Sequence, residues 1–424
     1  MKTRLNFAGE LDLETISIVS MTSGKTIDIS MVFMEINLFE SLDSSTLGGY
    51  VTINDSLDII HNLPMVGEEM IMLKYRTPTF PDSDEVSRTF VVYKISDRQF
   101  NADGAQVYTL YFMSVESYVD INTKLSRSYN GQLSYIANTL FSTKDGLNSD
   151  KDLFLEETDN AFRFVIPMWS PIKTLNYIAA RSISKQYKTA NYIFYEDTKK
   201  FNFRSVSSLI DTEPFAYYQY NNANVRNLRE LGHDISAFSI ILQFTVPLDF
   251  DITQRQLMGF YASKILNYDI LSKRVNIKEI DYFKGFSDRP HLDKKMANPV
   301  SSQGTMREPD SFVNFYPTNT YMFDDYETDN PLSWVIQRKM LLQELELHKV
   351  QITVPGRTDM TVGKVIYIDY NTTQAHHDKL DAKEQLYSGN YLVTGINHRM
   401  SRNEHQMVLS CVKEDILKNL EVKV

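Results

Sequence analysis

Residues Gly363 to Glu414 read GKVIYIDY, a polar loop, YLVTGINHRM, a short turn and HQMVLSCVKE. That is strand, loop, strand, tight turn, strand. The pattern occurs twice. Residues Gly67 to Glu116 read GEEMIMLKY, a polar loop, FVVYKISDRQF, a turn and VYTLYFMSVE. With Gly67 on Gly363, Tyr75 lies one place off Tyr370. Phe90-Val91-Val92 then falls on Tyr391-Leu392-Val393, Ile95 on Ile396, Arg98 on Arg399 and Glu116 on Glu414. The chain is expected to carry two copies of one small β unit, nearly three hundred residues apart.

The bulk numbers agree with a mainly β, multidomain protein. A chain of 424 residues exceeds one core, and roughly two to four domains are expected. The 25 Tyr and 24 Phe suit pleated surfaces. A net charge of −10 argues against a nucleic-acid clamp, which needs clustered Lys and Arg. It suits a surface that DNA slides past. The single cysteine, Cys411, rules out an intrachain disulfide framework and points to synthesis in a reducing compartment. No apolar run reaches the roughly 20 residues that span a bilayer. The opening MKTRLNFAGELDLE lacks a signal-peptide core, so export by that route is not expected.

Five parts follow in order. Residues 1–117 form the first β barrel. Within it, Ile27–Phe39 is apolar on both faces and is expected to be a doubly covered strand. Gly48-Gly49 opens the strand YVTIND, and Leu57–Pro64 links onward. Residues 118–210 form a small α+β domain. One helix carries Leu133, Ile136, Ala137, Leu140 and Phe141 behind an N-cap at Asn130-Gly131. A second starts at Ser170-Pro171 and carries Ile172, Leu175, Ile178, Ala179 and Ile183. A hairpin turns at Asp197–Lys200. Residues 211–254 and 331–415 form the second barrel, with short strands around NNANVRNLRE and AFSIILQFTV. Its later half opens with a helix from Asn330-Pro331 to about His348 and a strand VQITVP. Residues 255–330 read as an inserted, irregular, loop-rich lobe, and 416–424 as a C-terminal tail.

No cluster commits to chemistry. His376-His377 with Asp378 and Asp381 reads as a solvated loop, because adjacent histidines on extended chain point opposite ways. Asp324–Asp329 lacks the glycine and closing Glu of a calcium loop and reads as an acidic turn. His398 and His405 flank the last hairpin turn within reach of each other and are expected to be a surface pair. Cys411 alternates with Leu409 and Met407 and reads as a buried thiol. No nucleophile meets a base, so the expectation is a protein that is not an enzyme, with no catalytic, cofactor or metal residues.

The duplication has a geometric use. Three chains with two similar barrels each give six similar units in a ring, which matches a six-fold tube on one side and a three-fold partner on the other. The segments FESLDSSTLGGYVTINDSLDIIHNLPMVGEEMIMLKY (Phe39–Tyr75) and ITVPGRTDMTVGKVIYIDY through YLVTGINHRMSRNEHQMVLSCVKE resemble the two tail-tube-like barrels of baseplate hub proteins of contractile-tailed bacteriophages. IPMWSPIKTLNYIAARSISKQYKTANYIFYEDTKKFNFRSV resembles the α+β domain between them. The lobe matches least well. The resemblance implies a homotrimeric structural hub in the virion baseplate, assembled in the host cytoplasm. It would join the tail tube or its initiator proteins to a trimeric membrane-piercing spike and touch the wedge and tape measure proteins. DNA would cross its lumen without specific binding, and no stable membrane insertion is implied. The few residues after the second copy lead us to expect the spike, and any lysozyme activity, on a separate polypeptide. A glycan- or receptor-binding β module is the alternative.

Overall fold

In the computed structural model, the described residues are 5–56, 58–63, 65–78, 80, 84–100, 105–220, 235–248, 251–282, 284, 286–292, 312–319, 330–370 and 387–414. The first unit contains β1 (Asp12–Ser20), β2 (Thr26–Asp28), β3 (Phe33–Ser41), β4 (Gly48–Asp55), α1 (Ile59–Asn62), β5 (Glu69–Arg76), β6 (Val86–Phe100) and β7 (Gln106–Ser114). Alternation with period two turns Ile16 and Ile18, Val51 and Ile53, and Ile71, Leu73 and Tyr75 into one core. Gly49 is required on β4, because a Cβ there would sit 2.2 Å from the Asn37 carbonyl oxygen. The doubly covered strand expected over Ile27–Phe39 does not form. A turn in which Val32 N–H donates to the Ile29 carbonyl splits it, leaving Met31 73% and Met34 53% exposed.

The middle of the chain holds α2 (Val115–Asn122), β8 (Ser128–Gln132), α3 (Leu133–Ser142), β9 (Leu153–Leu155), β10 (Ala161–Val165), α4 (Pro171–Arg181), β11 (Tyr192–Glu196), β12 (Phe201–Ser205) and α5 (Val206–Ile210). The expected stripe of α3 is buried throughout. Asn130-Gly131 does not cap it. These residues lie in β8, where they pair with Arg163 and Phe162 of β10, and the ladder takes their backbone groups instead. Pro171 opens α4 as expected, and Ile183 lies past its end. The β11–β12 hairpin closes with Asp197 N–H on the Lys200 carbonyl.

The rest comprises β13 (Ala216–Tyr220), β14 (Gln243–Leu248), α6 (Ile252–Leu257), β15 (Ala262–Asp269), β16 (Arg274–Asp281), β17 (Val313–Thr318), α7 (Pro331–Glu344), β18 (His348–Pro355), β19 (Val365–Tyr370), β20 (Gly389–Met400) and β21 (His405–Lys413). NNANVRNLRE, Asp324–Asp329 and His376–Asp381 lie outside the described residues. The lobe is more regular than its sequence suggests. β16, β15 and β17 form a separate three-stranded sheet, with β15 and β17 parallel. Helix α7 ends at Glu344, and His348 already belongs to β18. Its Met340 and Leu341 pack with Phe260, Tyr261, Tyr282 and Phe286 of the lobe, whereas Leu342 lies against the second core.

The two β units share one sheet. Its main path runs β14-β18-β21-β20-β3-β4-β7-β6-β5-β1-β2, with β19 on β20 and β13 on β19. Two hydrophobic cores lie along it, one per unit. Met400, at the end of β20, is buried in the core of the first unit, across the junction from its own.

Candidate functional site: the seam between the β units and its open edges

The two copies match strand for strand. β5-β6-β7-β4-β3 pair antiparallel in that order, as do β19-β20-β21-β18-β14. In both, one residue bulges at the same place. The ladders break between Val92 and Lys94 and between Val393 and Gly395. A shared bulge fixes the correspondence more firmly than side-chain similarity, because it marks one residue of the ladder.

That correspondence shifts three of the sequence pairings by one place. Met70 pairs with Val91, and Val365 with Leu392. With Val91 on Leu392, Tyr75 therefore falls on Tyr370, and Gly67 and Gly363 are the residues out of step. Met113 pairs with Val91, and Val412 with Leu392, which puts Val115 rather than Glu116 on Glu414. A further extra residue between Ser96 and Gln99 puts Gln99 on Arg399 and Phe100 on Met400. One relation differs. β1 meets β5 antiparallel, whereas β13 meets β19 parallel.

The seam between the copies is the ladder of β3 on β20, from Ile36–Met400 to Ser41–Gly395. Beside the buried Asn37, a connected chain of polar side chains, Glu40, His398 and His405, is buried at it. Nε2–H of His398 donates to Glu40 Oε1 at 2.7 Å, and His398 Nδ1 lies 3.0 Å from His405 Nε2. With the Nε2 proton on Glu40, Nδ1 of His398 accepts from Nε2–H of His405. Nδ1 of His405 and the Tyr75 hydroxyl have no hydrogen-bond partner among the described residues. The Tyr75 ring meets His405 edge-on. Burial, then the neighbouring His398, pushes the His405 pKa well below the ordinary histidine value. The reach of the two histidines is as expected, but they are a core pair and not a surface pair. β3 covers them, and it arrives from the other end of the chain. The order carboxylate, imidazole, imidazole is that of a proton relay, yet among the described residues it ends in a closed core on a ring nitrogen that makes no hydrogen bond to a hydroxyl or thiol. Its effect is on register. A slip of one residue would strand the buried carboxylate.

Besides the outer side of β2, two further edges of the sheet are open among the described residues. β6 pairs with β5 only over Val86–Val91, so the same side of its second half has no ladder. The outer side of β14 also has none. On the first unit, Phe39, Tyr50, Tyr111 and Tyr93 form a row of ring contacts across four strands. Tyr93 is exposed, and Lys94 lies over the Tyr111 ring. The matching positions on the second unit include Gln351, Thr394 and Ser410. They line a cleft of about 710 Å³ against Leu342 of α7 and Glu346 just past its end.

A second polar cluster fastens the lobe. His291 Nδ1 lies 3.1 Å from Glu414 Oε2 and 3.7 Å from Glu344 Oε1, and Tyr282 O–H donates to Glu344 at 2.8 Å. Burial, then the charge of Glu414, raises the Glu344 pKa to about 7. Burial lowers that of His291. The ligand-type atoms of His291, Glu344 and Glu414 lie within 4.8 Å of one another. Arg289 already stands 3.7 Å from Glu344, so a cation is present in the form of a side chain. Cys411 is buried in the second core, as expected, and burial raises its thiol pKa. No described helix is long and apolar enough to cross a membrane.

No protein-family model matches the chain. Over 394 residues it is 24% identical to the probable baseplate hub protein gp334 of Vibrio phage KVP40, covering 89% of this chain and 88% of that protein. The 43 kDa tail protein of prophage MuSo2 from Shewanella oneidensis shares its fold with a TM-score of 0.58 at 10% identity, over 95% of this chain and 99% of that one. The tail protein from Neisseria meningitidis MC58 does so with a TM-score of 0.54 at 13% identity, over 95% and 97%. The chain is thus similar to a phage baseplate hub protein along almost its whole length, and it shares the mainly β fold of phage tail proteins.

Proposed function

We propose that three copies of this chain form the hub of a baseplate and convert the six-fold symmetry of a tail tube into the three-fold symmetry of a spike. The observation that carries this reading is the pair of β units, matched to the same bulge and joined edge to edge in one sheet. Each chain then supplies two of six similar units, and each unit closes toward a barrel around its own core. The ring encloses a channel through which DNA passes, and the chain's acidic balance keeps DNA from sticking. Contacts that survive contraction bury roughly 2,000 Å² or more. Tail-tube, wedge, tape measure and spike proteins are the partners, in a virion baseplate put together in the host cytoplasm. The chain works mechanically and not as an enzyme.

The test is the mass in solution, with and without the spike protein, together with class averages viewed down the axis. The expected results are three times 49.1 kDa and six lobes around a hole. A monomer under both conditions refutes the reading. The exposed row from Phe39 to Tyr93 favours a second reading, a glycan-binding module, because aromatic faces stack on sugars. Specific hits on a glycan array, lost in Tyr93→Ala, would support it.

A further inference from the structure

The seam inside one chain is a template for the contact between chains. We propose that β14 of one copy pairs antiparallel with the second half of β6 of the next copy, in the register that β3 holds on β20. This deepens the trimeric reading above and rests on it.

Four observations converge. First, these two strand edges are open among the described residues, and they are the counterparts of the two edges that meet at the seam. β6 corresponds to β20, and β14 to β3, because Ile36 faces Val51 as Phe244 faces Ile352. Second, transposing the seam predicts the pairs. Asn397–Phe39 becomes Ser96–Leu248, Arg399–Asn37 becomes Gln99–Thr245, and Met400–Ile36 becomes Phe100–Phe244.

Third, both strands carry one extra residue at the same step. β6 has an irregularity between Ser96 and Gln99, and β14 has one between Thr245 and Leu248. β20 and β3 have none over the matching stretch. An extra residue on one strand alone would throw the ladder out of phase. One on each strand, opposite each other, keeps it in phase. Asp97, with a positive φ of 58°, and Pro247, which has no N–H to donate, both fall inside this step, where no ladder bond is asked of them.

Fourth, the side chains fit. Met400 crosses the seam and is 0% exposed in the other unit's core, whereas its counterpart Phe100 is 68% exposed. An exposed phenylalanine beside an open strand edge is a surface that folded proteins cover. Its place on the neighbouring copy is beside Phe244, which is half-buried and in tilted and edge-on ring contact with Tyr220, Tyr370 and Tyr387. The contact joins unlike edges, the kind of contact that a ring of copies requires. The Glu40–His398 pair is not repeated there, since the Asp97–Arg98 step stands where β20 has His398. The chains can therefore separate where the units cannot.

The experiment is cysteine cross-linking of the full chain with Gln99→Cys and Thr245→Cys together, both positions being exposed in the single chain. Cys411 stays, buried. Under mild oxidation a covalent ladder ending at the trimer is expected, with none for the pair Tyr93→Cys and Thr245→Cys, whose positions are far apart in this register. In parallel, Phe100→Asp changes a side chain that is exposed before assembly, so folding is kept. Its trimer dissociation constant should rise about tenfold or more. A wild-type trimer that neither cross-links at 99 and 245 nor weakens with Phe100→Asp overturns this register and leaves the trimer standing. A wild-type chain that is monomeric even with spike protein overturns both.

Discussion

Replacing Glu40 tests whether the seam is held by its buried polar chain. In Glu40→Leu the volume is nearly kept, so cavity costs are small. What is lost is the acceptor of His398 Nε2–H at 2.7 Å and of Val362 N–H at a weaker 3.4 Å. A buried donor left without a partner costs about 1–3 kcal/mol, and the short bond to His398 puts the first loss toward the upper end. The long second bond adds less, so the sum is about 3 kcal/mol. Glu40→Gln keeps one acceptor oxygen for His398 and gives up the charge and the long bond from Val362 N–H, for about 1–2 kcal/mol. The assay is the urea midpoint at pH 7, together with amide exchange over Ile36–Ser41 and Gly395–Met400. Local exchange matters because a chain with several cores need not unfold in one step. Faster exchange confined to the seam, larger for Leu than for Gln, is expected. If Glu40→Leu stays within about 0.5 kcal/mol of wild type, as a neutral surface change would, and seam exchange is unmoved, the reasoning fails.

Acid should loosen the same region. His405 resists protonation when folded but takes a proton near pH 6.5 when unfolded, so stability present above that pH falls as pH drops through it, by up to about 1.4 kcal/mol per unit. Urea midpoints at pH 7 and 5.5 should differ less in His405→Gln than in wild type. Glu344 acts with the opposite sign. Its folded pKa of about 7 lies above its ordinary value of 4.5, so stability falls as pH rises from about 4.5 to about 7, and the whole cost is present above that. Glu344→Gln should therefore stabilise the chain by about 1–3 kcal/mol at pH 8 and by little at pH 4.5, measured by thermal unfolding. Gly356→Ala should cost about 1–3 kcal/mol in the same assay, because the new methyl would lie 2.1 Å from the His405 ring.

Much of the fold was legible because local chemistry decided it. Gly48-Gly49 and Asn54-Asp55 bound β4, Pro171 starts α4, and Asp197–Lys200 turns the β11–β12 hairpin. Each depends on residues close in the chain. The lobe was read as irregular because β15 takes one of its two partners, β17, across more than forty residues, and no local period announces such a pairing. The duplication too was visible, through the spacing of its strands and turns. Its register was not. A likeness of glycines and arginines tolerates a one-place error, whereas a ladder of hydrogen bonds does not, since one step sends every side chain to the other face. His398 and His405 show the same division. Their alternation places them together across a hairpin, and that is all two neighbouring strands can specify. Whether the pair meets water or a carboxylate depends on β3, which delivers Glu40 from 358 residues away. The amino-acid sequence determined two similar β units and the turns that bound them. Only the tertiary structure decided that they share one sheet, which edges that sheet leaves open and what lies buried where they join.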